Sequence, residues 1–85
     1  MANGNGTIEI LYFARIAEQA GMRQETQALT DPIRAGAWLA ELAQRHPALE
    51  PVDRLKIAIN QEYATRASLI RPGDEVALFE PVTGG

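Results

Sequence analysis

The chain has 85 residues, 46% of them apolar, and its 11 acidic and 8 basic side chains give a formal net charge of −3. That size allows one domain, near the lower end of what folds on a hydrophobic core alone. The seven arginines and Lys56 are scattered rather than clustered, which leaves no electrostatic footprint for nucleic acid. Cysteine is absent, which excludes disulfides, a thiolate metal site, a cysteine nucleophile and a persulfide carried on a side chain.

The opening "MANGNG" is polar and glycine-rich, lacks the charged-then-apolar order of a signal segment, and reads as a loose tail over residues 1–7. No apolar run in the chain is long enough to span a bilayer, so no membrane partner and a cytoplasmic location are expected. "IEILYFA" (8–14) is rich in β-branched and aromatic residues and predicts a strand, with Ile8, Ile10 and Tyr12 on one face and Glu9, Leu11 and Phe13 on the other. "RIAEQAGMRQE" reads as a turn through Gly21, and "TQALT" (26–30) as a strand returning antiparallel to the first. "TDPIRAGAWLAELAQRHP" predicts a helix with Thr30 or Asp31 as cap, Pro32 in the first turn and Pro47 as the stop. Its apolar stripe is Ala35, Trp38, Leu39 and Leu42, while Gly36 weakens the first turn and could move the start a few residues later.

"LKIAIN" alternates, so Leu55, Ile57 and Ile59 are expected inward and Lys56, Ala58 and Asn60 outward. "NQ" then turns into a short strand, Glu62–Ala64, and "RPGD" carries the proline and glycine of a type II turn. "EVALFEP" is the last strand, with Val76 and Leu78 inward and Glu75, Ala77 and Phe79 outward. One helix cannot cover both faces of such a sheet. The expectation is an α+β, ubiquitin-like β-grasp domain over residues 8–80, a mixed sheet with one main helix packed on one face, followed by a flexible Gly-Gly tail over 81–85.

If the first and last strands lie side by side, Phe13 and Phe79 share the uncovered face, and Tyr63 after the "NQ" turn joins them. A lone exposed aromatic is ordinary. Three converging at one end of a sheet read as a docking surface. His46, at the helix C-terminus, suits the helix dipole better than catalysis, and a single histidine without cysteine makes a poor metal site. Glu41 and Arg45 have surface-pair spacing, Asp74–Glu75 forms no acid/base pair, and "GNG" is not a phosphate loop because no strand precedes it. No side-chain constellation supports independent catalysis.

"ILYFARIAEQAG", "IAINQEYA" and "RPGDEVALFEPVTGG" resemble the small subunit of molybdopterin synthase, a MoaD-like family of β-grasp sulfur carriers, over residues 8 to 85. The resemblance implies that an ATP-dependent, ubiquitin-E1-like enzyme adenylates the C-terminal carboxylate of Gly85. A sulfur donor protein then converts the acyl-adenylate to a thiocarboxylate. Val82, Thr83 and Gly84 would insert into the large subunit, where sulfur passes to a cyclic pyranopterin precursor. Two small subunits would flank a dimer of large subunits in a heterotetramer. The family's docking patch matches Phe13, Tyr63 and Phe79, with Pro81 beside it. The chain itself would bind no cofactor and no metal; ATP serves the activating enzyme, and the catalytic pocket lies on the large subunit.

The chemistry suits a cysteine-free chain, because sulfur held on the terminal carboxyl needs no thiol. Gly84 and Gly85 lack Cβ and can thread a narrow channel. Family members often carry a second proline where this chain has Glu80, a change expected to leave the tail root more flexible and to add charge beside the patch. A thiamine-pathway sulfur carrier shares the fold and the Gly-Gly end, although "FAR" and "PVTGG" favour the molybdopterin branch. A ubiquitin-like protein modifier and a β-grasp interaction module with an inert tail fit the same fold. A plant-type ferredoxin is excluded, since its cluster needs four cysteines.

Overall fold

The computed structural model describes residues 6–81. In chain order the elements are β1 (Thr7–Tyr12), α1 (Arg15–Ala20), β2 (Gln24–Ala28), β3 (Ile33–Arg34), α2 (Ala35–Arg45), β4 (Lys56–Ile59), β5 (Glu62–Ala64), β6 (Leu69–Ile70) and β7 (Glu75–Phe79). Two 3-10 turns, Pro47–Leu49 and Val52–Arg54, fill the connection between α2 and β4. Five strands form a sheet in the order β2-β1-β7-β4-β5, and β3 pairs with β6 in a separate two-stranded ladder. β1 and β7 run parallel at the centre, with Leu11 opposite Ala77, and the other pairings are antiparallel. This is the expected mixed sheet of a ubiquitin-like β-grasp.

Period-two alternation decides which face of each strand is buried. Ile8, Ile10 and Tyr12 of β1 and Val76 and Leu78 of β7 are buried. The α2 stripe covers them: Ala35, Trp38, Leu39 and Leu42 are all inaccessible. Each large side chain so buried contributes about 1.5–3 kcal/mol relative to leaving it in water. Ala58 departs from its expected exposure. It lies on the outer face, opposite Ala77 and Tyr63, yet is buried because a small side chain is overshadowed by larger neighbours.

Three local expectations are corrected. The segment read as a turn contains α1, a short helix that buries Ile16 and Ala20 in the core and ends at Gly21. That helix advances the return strand, so β2 begins at Gln24 rather than at Thr26. α2 starts at Ala35, and neither Thr30 nor Asp31 caps it: the N-cap is Arg34, with extended backbone and no side-chain cap bond. Ile33 and Arg34 are drawn into the pairing with β6 instead.

The first N–H groups of α2 find other acceptors, Ala35 donating to Ser68 O at 2.8 Å and Gly36 to Arg66 O at 2.9 Å. Gly36 makes this approach possible, since a Cβ there would sit 3.1 Å from Arg66 Cγ. Its helix-weakening character is exchanged for loop-to-helix closure. The Arg66 guanidinium completes the tie by donating to Leu55 O at 3.0 Å and Val52 O at 2.8 Å. The "RPGD" turn forms as expected: Asp74 N–H donates to Arg71 O at 3.0 Å and Gly73 adopts φ +94°.

At the C-terminal end of α2 one carboxylate gathers three partners. Tyr12 Oη donates to Glu25 Oε1 at 2.7 Å and Arg45 Nη1 to Oε2 at 2.8 Å, while His46 Nε2 lies 3.2 Å from Oε1. Arg45 therefore reaches across to β2 rather than pairing with Glu41. Trp38 Nε1 and Arg45 Nη2 both donate to Gln27 Oε1, at 3.1 and 3.0 Å. Burial pushes the Glu25 carboxyl up, but the bonds from Tyr12, Arg45 and His46 outweigh it and hold the group below its ordinary 4.5. Burial, then Glu25 itself, pushes the Tyr12 phenol above its usual range.

A carboxyl depressed by folding stabilises the fold above its unfolded pKa, and that contribution is lost as pH falls through the folded value. Stability is accordingly expected to decline as pH drops below about 4.5. Glu25→Gln should flatten this acid limb in denaturant titrations across pH. An unchanged limb would assign it to other carboxylates, such as Glu9, whose bonds from Thr26 and Gln24 lower it in the same sense.

Candidate docking face and tail root

The sheet face turned away from α2 is built from the alternate positions of its strands. Glu9 and Leu11 of β1 lie beside Glu75 and Ala77 of β7, and Ala58 of β4 continues the row toward Tyr63. The face divides along its length. One end carries the carboxylates of Glu9 and Glu75. The other is mainly apolar: Leu11, Ala58 and Ala77 make its floor, Phe13, Tyr63 and Phe79 stand around it, and Lys56 lies opposite Phe79 at its edge.

Phe13 is 48% exposed and Tyr63 88% exposed. The Tyr63 and Phe79 rings are tilted at 52° with centroids 5.8 Å apart, a favourable aromatic geometry. This pair borders two hollows. One, of about 470 Å³, includes Leu11, Phe13, Ala58 and Ala77; the other, of about 510 Å³, includes Lys56, Ala64, Glu80 and Pro81. The expected convergence of the three rings is therefore present, and Pro81 adjoins it.

Backbone strain sits next to two of these rings. Ala14, just after Phe13, has φ 52° and ψ −128°, and Asn60 and Gln61, just before Tyr63, have φ 52° and 71°. Such non-glycine conformations cost about 1–3 kcal/mol each. Local bonds hold them: Phe13 N–H donates to Leu78 O at 3.2 Å, and Asn60 N–H to Glu75 O at 2.8 Å. Asn60 also links β4 to the final turn, its Nδ2 donating to Asp74 Oδ1 and its Oδ1 accepting from Glu75 N–H, both at 3.0 Å. Asp74 is thus a turn anchor, its Oδ2 also accepting from Arg71 N–H at 2.8 Å.

Glu80 behaves differently from expectation. Its Oε2 forms a close ion pair with Arg54 Nη1 and accepts from Arg15 Nη2 at 3.3 Å. The residue expected to loosen the tail root is tied down. Alternation identifies the outer-face aromatics, but nothing in local sequence links Arg15, Arg54 and Glu80, which are brought together only by tertiary packing. The expected tail residues Val82, Thr83, Gly84 and Gly85 lie outside the described residues.

Among the described residues no group of acidic, histidine or cysteine side chains could hold a metal ion, and no helix is long and apolar enough to cross a membrane. The class defined by this fold and face is a ubiquitin-like β-grasp domain with an aromatic cluster beside the root of its C-terminal segment. The chain belongs to the ThiS family, whose model matches residues 10–85.

A human protein named molybdopterin synthase sulfur carrier subunit is 38% identical over 82 residues, covering 92% of this chain and 93% of that one. The crystal structure of SAMP1 from Haloferax volcanii superposes with a TM-score of 0.78 at 35% identity, covering 94% of this chain and all (100%) of the other. A chain in a complex of subunits 1 and 2 of the molybdopterin-converting factor from Helicobacter pylori shares the fold, with a TM-score of 0.63 at 18% identity over 93% of this chain and 99% of that one.

An aromatic as exposed as Tyr63 contributes little to folding. Tyr63→Ala should change unfolding free energy by less than about 0.5 kcal/mol, measured by chemical denaturation. A loss of several times that amount would mean that the ring supports the hairpin rather than a partner.

Proposed function

We propose that this chain is a cytoplasmic sulfur carrier of molybdenum cofactor biosynthesis, acting as the small subunit of a molybdopterin synthase. The observation that carries the reading is the 38% identity, over 92% of this chain, to the human molybdopterin synthase sulfur carrier subunit; the ThiS family match over residues 10–85 supports it. The human relative bears the sulfur carrier name, and the Helicobacter complex supports a large-subunit partner.

A carboxylate is a poor electrophile until oxygen is given a leaving group. Attack of the Gly85 carboxylate on ATP, in a separate E1-like enzyme, would form an acyl-adenylate and release pyrophosphate. Hydrosulfide released by a donor protein would then attack the acyl carbon, displace AMP and leave a thiocarboxylate. In the large subunit the thiocarboxylate sulfur would form a bond to a carbon of the pyranopterin precursor, and water would cleave the acyl–sulfur bond and regenerate the Gly85 carboxylate. The chain supplies the carrier group and the address; the catalytic pocket belongs to its partners. Ordering Val82 to Gly85 on insertion costs conformational entropy, which burial of the Phe13–Tyr63–Phe79 patch would offset.

The SAMP1 likeness supports a second reading as a protein modifier, in which Gly85 would form isopeptide bonds with lysines. Incubation with an activating enzyme, ATP and a sulfur donor is expected to exchange one C-terminal oxygen for sulfur in the intact mass. Lysine conjugates alone would favour the modifier. Loading through a thiamine-pathway activating enzyme, with no binding to a molybdopterin synthase large subunit, would favour the thiamine branch. Deleting Gly85 should abolish sulfur loading while leaving the fold and large-subunit binding intact; lost binding would show that the tail also contributes to docking.

Phe79→Asp places a charge in the apolar half of the face. It is expected to weaken large-subunit binding at least about tenfold in calorimetry, as for a central interface aromatic. The thermal transition should remain cooperative, and a collapsed transition would make Phe79 a core residue.

A further inference from the structure

Glu80 stands between the last residue of β7 and Pro81, where the sheet hands over to the C-terminal segment. Glu80 borders the hollow of the Tyr63–Phe79 pair, and its carboxylate reaches toward α1 and the 3-10 turns. There it meets Arg54 and, at 3.3 Å, Arg15. Arg54 is itself fixed, because its Nη2 donates to Gln19 Oε1 at 2.9 Å and to Leu49 O at 3.4 Å. One carboxylate thus joins α1, the 3-10 turns and the end of β7. The same residues enclose a hollow of about 510 Å³ that Phe13, Phe79 and Pro81 also line.

Fold stability gives a weak reason for such a cluster. Arg15 is 69% exposed, and pairs of that kind add little to folding. Position gives a stronger one. Glu80 is gripped beside the rings: Phe13 and Phe79 line the hollow it shares with Arg15 and Arg54, and Tyr63 and Phe79 line the second hollow it borders. The grip therefore fixes the point at which the chain leaves the sheet.

We propose that the Glu80–Arg54–Arg15 cluster is an electrostatic latch that sets the direction in which the chain leaves the sheet through Pro81, making Glu80 a positioning residue for delivery of the C-terminal carboxyl. What is delivered rests on the sulfur carrier reading; the latch itself does not. Without it the same docked domain would present the carboxyl over a wider cone, so delivery slows while docking is retained. Salt weakens the latch, since its charges are partly exposed.

The test compares full-length wild type, Glu80→Gln, Arg54→Gln and the double variant. Heteronuclear NOE values at the Val82–Gly85 amides read tail order without any activity. Single-turnover sulfur loading at saturating activating enzyme reads delivery, and the apparent affinity for that enzyme reads docking. Either single variant is expected to lower the tail NOE values and slow loading about three- to tenfold, the range two partly exposed pairs can supply, with docking and thermal midpoint unchanged. The double variant should be no slower than either single, and high salt should bring wild type to the variants' rate without slowing them further. Glu80→Gln matching wild type in both NOE and loading, or additive losses in the double variant, would overturn the latch. Wild-type chain that never acquires sulfur would sink the carrier reading instead, and the NOE comparison would then decide the latch alone.

Discussion

The parallel pairing of β1 with β7 is the constraint on which the rest of the molecule depends. Parallel neighbours cannot be joined by a tight turn, so everything between them must travel out and back. That detour supplies α2, which covers one face of the sheet, and the three strands β2, β4 and β5, which widen it. The pairing also sets the exits of β1 and β7 at the same end of the sheet. Phe13 follows one exit, and Phe79 and Pro81 mark the other. A patch beside a tail root is therefore a direct product of strand direction.

Much of this was legible in the sequence because period-two alternation carries two messages at once. Ile8, Ile10, Val76 and Leu78 announce the buried side, and Leu11, Phe13, Ala77 and Phe79 are then outward by default. What stayed hidden is what tertiary bonds decide. α1 has a legible spacing, Ile16 and Ala20 one turn apart with Gly21 after them, but six residues are too few for periodicity to stand out. The capping signals at Thr30 and Pro32 were real local preferences. They lost to the pairing of Ile33 and Arg34 with Leu69 and Ile70, which leaves carbonyls of the 66–68 loop to satisfy the helix start. Glu80 read as a looser substitute for proline because its two arginines are distant in the chain.

The fold alone does not choose among sulfur carriers, protein modifiers and passive modules, since one architecture hosts them all. Their differences lie in how the outer face and the tail root are dressed. Here the face carries Glu9 and Glu75 toward one end and the three rings, with Lys56 beside Phe79, toward the other. The Glu25-centred network lies on the helix-covered face, where among the described residues no aromatic cluster is exposed, and it serves stability.

The three rings also differ in when they can come together. Tyr63 rides on a hairpin closed by the adjacent Asn60–Gln61 turn, a contact among near neighbours. Phe13 and Phe79 meet only when the first strand captures the last, a contact between residues far apart in the chain. A nascent chain still missing β7 would display Tyr63 without its companion ring and without the Ala77 floor. The ring cluster is thus complete only once β7 has paired with β1.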